Sequence, residues 1–445
     1  MTGVAVKDET RATAYHVVTA VWGREFIEMF LDVCVPNQLS EGNLAALPPG
    51  SRYRIFTGSA DHAQLATTSR LDEVRRVLPV DVVEVDLAEL DPQPNPNTYK
   101  MMTACHRRAV ADAAGVEAAL IFLSPDFILA EGTFEALLRR HRAGARAVLT
   151  ANLRLARETF LSDWAKQART QPAPVPRDLV GLAMRHLHPA TESCMVDAAS
   201  TNDFPTAVYW PVRPDGQLDG LMVRAFHLHP LLIDPVHRLE LPRTTIDGHY
   251  VTKACPSPGQ SVVVTDSDEL VAFELTPARR AVGNHTRRHG VSLFRLLAVA
   301  AKCDAHQRSQ WDRMIRLHAG PLDDRWAAAE AQSVEFAHTF ARYMPLSPLA
   351  GVLSRSQKRW RRRGAGIART MRWTVRNEAR SLMRVVRRPL RRRGAYARAV
   401  SKALQPHWIF KRIARSTKLM WHRAAKAGKL GLKRMRRRTR LFRAA

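Results

Sequence analysis

Short apolar runs and helix-spaced apolar residues alternate over the first 150 positions. Tyr15 to Trp22 reads YHVVTAVW, β-branched and aromatic, which predicts a strand. Gly23 breaks it, and Phe26, Ile27, Phe30 and Leu31 then recur at helical spacing. YRIF (53–56) predicts a second strand ending at Thr57-Gly58, with a helical stretch after it to about Leu78. DVVEVDL (81–87) predicts a third strand, and the Pro/Asn loop DPQPNPN (91–97) leads into a helix over 98–114. AALIFL (118–123) and RAVLTA (146–151) complete five strands. Strands separated by helical segments predict an α/β fold, a mostly parallel sheet flanked by helices. Such a sheet binds ligands outside the carboxyl ends of its strands.

The pattern then changes. Residues 152–205 read as helices interrupted by QPAPVP (171–176), and 206–275 as a mixed, strand-rich region. Residues 290–343 read as two or three helices, and MPLSPL (344–349) marks the expected end of the globular part. The organisation expected is a flexible N-terminus over 1–14, a ligand-binding domain over 15–280, a helical extension over 281–345 and a basic tail over 346–445. That tail is read as partly helical or disordered.

Charge divides the chain at the same place. Of 69 Lys and Arg, 32 fall in 351–445 against a single acid there, Glu378. The 37 bases and 40 acids before residue 351 nearly cancel, so the polycation is the tail and says nothing of the body's chemistry. KRWRRR (358–363), RRPLRRR (387–393) and KRMRRR (433–438) are its clusters. Between them Ile367, Met371, Val375, Ala379, Met383 and Val386 recur at helical spacing, with Trp360, Trp373, Trp408 and Trp421 interspersed. A basic helix with a narrow apolar stripe and tryptophans suits an anionic membrane surface. Nucleic acid is the competing partner, since phosphate neutralisation asks for the same charge.

Several classes are disfavoured. The first strand is followed by GREFIEMF rather than G-x-G-x-x-G, and no Walker A, H-E-x-x-H or G-x-S-x-G sequence occurs. Five scattered cysteines without C-x-x-C argue against a disulfide framework or a zinc knuckle and suit a reducing compartment. The opening residues lack a signal-peptide layout, and no run of about 18 uncharged apolar residues predicts a membrane span. The expected location is cytoplasmic, peripheral at the inner membrane face.

Candidate chemistry centres on LIFLSPDFILAEG (120–132), where a buried strand runs into Asp126. A carboxylate at the mouth of a parallel sheet holds a divalent cation or caps the turn after Pro125. His227 and His229 alternate in FHLHPLL (226–232), so both can face one cleft, the other reading being a pair of hydrogen-bonded structural histidines near a proline turn; His186 and His188 are expected to be structural. RTTIDGHYV (243–251) places Asp247 in an Asp-Gly turn between two strand-like pieces. VVVTDSDELVAFEL (262–275) holds a literal D-x-D, Asp266-Ser267-Asp268, which is the rival metal site.

Residues 15–151 resemble the nucleotide-diphospho-sugar transferases, the GT-A type of glycosyltransferase. YHVVTAVWGREF, the helix bearing Tyr99, Lys100 and Ala104, and LIFLSPDFILAEG at the family's D-x-D position carry the resemblance. Ser124 stands where that motif has its first Asp, so only Asp126 carries over. The resemblance implies a nucleotide-sugar donor near Thr19, Trp22, Thr57 and Asp126. It also implies a Mg²⁺ or Mn²⁺ ion held by Asp126 and a late histidine, His229, and a saccharide or lipid-linked acceptor. An acidic residue would act as general base, Asp247 first and Glu269 second. The alternative is a non-catalytic scaffold of the same shape whose tail binds nucleic acid or membrane.

Overall fold

The structure is a computed structural model that describes residues 11–86, 98–167, 174–213, 216–237, 240–247, 249–280, 285–286 and 290–354. They belong to a compact unit that runs to residue 355. The tail beyond residue 354, the first ten residues and the loop 91–97 lie outside the described residues.

Seven strands form the main sheet: β1 (Tyr15–Ala20), β2 (Arg52–Thr57), β3 (Val80–Glu84), β4 (Ala119–Leu123), β6 (Ala147–Thr150), β11 (His229–Ile233) and β12 (Ser261–Val263). Their order is β12-β6-β11-β4-β1-β2-β3. All neighbours are parallel except β11, which runs antiparallel to both β4 and β6. The central strands are buried on both faces, which is why they read as continuous apolar runs; all five residues of β4 are buried. β3 lies at an edge and is half-buried. Its Asp81 pairs with Arg52 and Arg54 of β2, and charge on an edge strand discourages further pairing.

The remaining strands in the body are β5 (Phe127–Leu129), β7 (Leu153–Ala156), β8 (Thr201–Asn202), β9 (Ala207–Val212), β10 (Gly220–Ala225), β13 (Ala272–Thr276), β14 (His285–Thr286) and β15 (Ile315–His318). β5-β13-β7 make one small sheet and β15-β10-β9 another. The second packs on the helix Asp324–Tyr343 through Trp210, Phe226, Trp311 and Phe340, with Phe226 stacked on Trp311 at 4.7 Å between centroids. β15 thereby ties the 290–343 segment into the body by a strand that helical patterning does not predict.

The helix Thr98–Ala114 has the bounds expected from the sequence, and five predicted strands match β1–β4 and β6 within two or three residues at each end. β7 was expected to be helix. LRLARETFL is apolar enough for either, and parallel pairing with β13, more than a hundred residues later, decides for strand. HYV (249–251) was expected to be strand, and Tyr250–Ala254 is instead a short helix.

Candidate functional site

The chain builds β1, β2 and β3 outward on one side, then returns to place β4 on the other side of β1. That reversal opens a crevice at the carboxyl ends of β1 and β4, the place where doubly wound sheets bind ligands. A cavity of 470 Å³ lies there, lined by Ala20 from β1, Leu123 at the end of β4, Ser124 after it, and side chains from the surrounding elements.

Its floor is the Ser124-Pro125-Asp126 turn, closed by Phe127 N–H donating to the Ser124 carbonyl at 3.1 Å. Two buried asparagines hold the segment that follows. Asn37 exchanges two hydrogen bonds with the Leu129 backbone, and Asn43 bonds to Ala130 and Phe134. Gly42 and Gly132 meet here, both at positive φ, and a Cβ on Gly42 would lie 2.6 Å from the Gly132 Cα. Only glycine permits that approach in that conformation.

The small sheet forms one wall. Register sets Glu274 of β13 opposite Phe127 of β5 on one side and Arg154 of β7 on the other. Arg154 pairs with Glu274, which also accepts from Asn152 Nδ2 at 3.3 Å. All four residues line the cavity.

Histidines form the opposite wall. His229 opens β11 and its Nε2 donates to the Phe122 carbonyl at 3.0 Å, which leaves Nδ1 with the lone pair. His227 and His106 also line the cavity, and the buried Nδ1 of His106 has no hydrogen-bond partner. Burial lowers the pKa of all three, that of His106 to about 4, so they stand as neutral imidazoles at pH 7. Asp247 is exposed at the mouth, in the turn before the helix Tyr250–Ala254. Tyr99 stands at the rim with 68% of its surface exposed.

His227, His229 and Asp247 thus share one cavity. Asp126 lies beneath it, only 5% exposed, and its Oδ1 accepts the Ser124 hydroxyl at 2.6 Å. Burial, and then the charge of Glu274, raise its pKa well above the usual carboxylate range. Thr19 and Thr57 are fully buried, and Trp22 packs half-buried against the core. None of these three lines the cavity: Thr19 and Thr57, in β1 and β2, turn their side chains into the layers above and below the sheet, not out of the strand end. His188 caps the short helix Pro189–Glu192, and His186 pairs with Asp163. Glu269 pairs with Arg140 and does not line the cavity.

A divalent cation does not fit Asp126 and His229. One is a buried carboxyl already engaged by a hydroxyl. Among the described residues, the set of three ligand atoms within 4.8 Å of one another belongs to Asp266, Asp268 and His318. Glu274, Arg154, Asn152 and His106 escape motif reading. The signal for Glu274 was a lone carboxylate interrupting the apolar run VAFEL.

Asp126 carries a pH prediction. Its folded pKa is raised, so the folded chain keeps a proton that the unfolded chain releases. Stability therefore falls as pH rises from the ordinary carboxylate range through the folded pKa. Asp126→Asn keeps the shape and removes the titration. Thermal melts should show a flatter pH dependence than wild type and a gain of about 5 °C at alkaline pH. Parallel curves for the two proteins would refute the assignment.

A larger cavity, 750 Å³, opens between residues 184–200, 213–218 and 278–280. None of its lining residues belongs to the main sheet, and its Arg213 is already paired with Asp197. The smaller cavity, where the fold and the ionisable side chains converge, is the candidate site.

Fold and cleft together define an α/β body with a ligand cavity over the switch point of a mostly parallel sheet. No family model matches the chain, and no curated protein matches it. Among solved structures, the apo form of mouse xyloside xylosyltransferase 1 aligns with a TM-score of 0.21 and 13% identity. The alignment covers 35% of this chain and 59% of that one. An overlap of that size decides nothing about activity.

Proposed function

We propose that the chain is a glycosyltransferase that moves a sugar from a nucleotide-sugar to an acceptor hydroxyl in the 470 Å³ cavity. The observation that carries this reading is the convergence of Asp247, His229, Arg154 and Glu274 at the switch point of the sheet. The acceptor oxygen forms a bond to the anomeric carbon while the bond to the diphosphate oxygen breaks. The electron pair leaves with the nucleoside diphosphate, and the acceptor proton passes to Asp247. Arg154 offers guanidinium N–H groups to the diphosphate, the exposed ring of Tyr99 stacks the base, and His229 Nδ1 accepts from a sugar hydroxyl. Buried Asp126, its pKa raised by burial, lies under the floor.

Calorimetry with uridine, guanosine, adenosine and thymidine diphosphate sugars tests the donor. At least one should bind, and tightly enough to saturate below about millimolar concentration. No heat from any donor, with or without Mn²⁺, would favour the non-catalytic scaffold.

Peripheral attachment to an anionic membrane belongs to the same proposal. Tyr343, Leu346, Leu349, Val352 and Leu353 are all exposed and recur every three or four residues, or adjacently, where the body ends. The next 90 residues are the polycationic segment. Exposed apolar side chains beside a basic run suit a bilayer surface better than a nucleic acid. The full chain should float with vesicles containing phosphatidylserine and not with neutral ones. Salt-sensitive RNA binding without flotation would reverse the assignment.

A further inference from the structure

A second group of ionisable side chains stands apart from the cavity. The turn after β12 carries Asp266 and Asp268, and β15 ends on His318. Asp266 bridges to Arg316 in the β15 strand, Ser267 N–H donates to the Arg316 carbonyl at 2.9 Å, and His318 N–H donates to Ser267 Oγ at 3.1 Å. These bonds fix two segments, some fifty residues apart, so that their side chains converge.

The His318 side chain is 1% exposed. Its Nδ1 lies 2.7 Å from the Gly320 carbonyl oxygen, and its Nε2 lies 2.9 Å from Asp266 Oδ1 and 3.8 Å from Asp268 Oδ1. A carbonyl only accepts, so the proton of the neutral ring sits on Nδ1. Nε2 then turns its lone pair toward two carboxylates, which also only accept. In that tautomer the lone pair and the two carboxylates are three acceptors within 4.8 Å of one another, a set that a divalent cation satisfies, whereas a protonated ring donates Nε2–H to Asp266 Oδ1 instead. A backbone carbonyl that holds the far N–H is the support that orients imidazole ligands in metal centres.

We propose that Asp266, Asp268 and His318 bind a divalent cation of the Zn²⁺ class, separate from the sugar-donor cavity. One imidazole nitrogen and two carboxylate oxygens suit Zn²⁺, and the two aspartates, each 40% exposed, leave the solvent side open for water ligands and entry. None of the three residues lines the 470 Å³ cavity. The cation ties the edge of the main sheet to β15. Arg177 is its competitor: Nε and Nη2 fork Asp268 at 2.9 and 2.7 Å. A guanidinium there supplies part of the positive charge that the metal would supply.

Titration calorimetry of the full chain with ZnCl₂ alone tests this. One equivalent should bind, and Zn²⁺ should raise the melting temperature. Asp268→Asn should weaken binding at least tenfold, and Arg177→Gln should tighten it by about tenfold. Opposite effects from two partly exposed partners of one ion pair separate a metal site from simple loss of folding. His318→Gln should abolish binding. The proposal fails if no equivalent of Zn²⁺ binds, if Asp268→Asn leaves affinity unchanged, or if nitrogen-15 spectra keep a proton on His318 Nε2 in excess Zn²⁺. The outcome is independent of donor binding, so either proposal can fail alone.

Discussion

Asp247→Asn should lower turnover with a hydroxyl acceptor by about 10²–10⁴-fold while donor affinity stays within about threefold. The amide keeps the size and polarity of the side chain and cannot take the acceptor proton. Asp247 sits exposed at the cavity mouth, where an acceptor approaches, whereas the donor would lie deeper against Arg154. Glu269→Gln is the contrasting variant. Its carboxylate is engaged by Arg140 outside the cavity, so the change should leave turnover near wild type. Steady-state transfer rates, with donor affinity measured separately, decide between them. Normal turnover in Asp247→Asn would remove the general base from the mechanism.

The largest effect on stability is expected from Asp234→Ala, at about 3–5 kcal/mol. Asp234 has no exposed surface. Its Oδ2 accepts from Arg146 Nη1 at 3.0 Å and lies 3.1 Å from His141 Nε2. Burial raises the Tyr15 pKa, so its phenol stays protonated and shares a hydrogen bond with His141 Nδ1 at 2.7 Å. His141 Nε2 faces Asp234. Removal of the carboxylate takes a charge partner from a buried guanidinium and breaks this chain at once. Tyr15 begins β1, Arg146 precedes β6, and Asp234 follows the antiparallel β11, so the network lies at the end of the sheet opposite the cavity. Urea unfolding should show the loss, and the folded fraction should bind donor as wild type does. A loss below about 1 kcal/mol would mean that solvent or another group satisfies Arg146.

Much of this architecture is written in local pattern. A strand buried on both faces must be apolar throughout, and β1, β2 and β4 announce themselves that way. β7 and β15 do not, because LRLA and IRLH are four residues long and carry an arginine each. They become strands through partners far along the chain, and no window of neighbouring residues contains that information. The same limit governs the site. His227, His229 and Asp247 stand out as residue types in suggestive settings. Arg154 and Glu274 look like ordinary strand residues until β13 enters between β5 and β7.

The sequence alone determined the α/β class and the division between a near-neutral body and a polycationic end. Those follow from periodicity and charge, which act over a few residues or sum over many. Tertiary structure alone decided that Asp126 lies under the cavity floor, where burial raises its pKa, and that Asp266 and Asp268 meet His318. Desolvation and convergence depend on what packs around a group in three dimensions, and the residues that do so here come from segments tens to more than a hundred positions away.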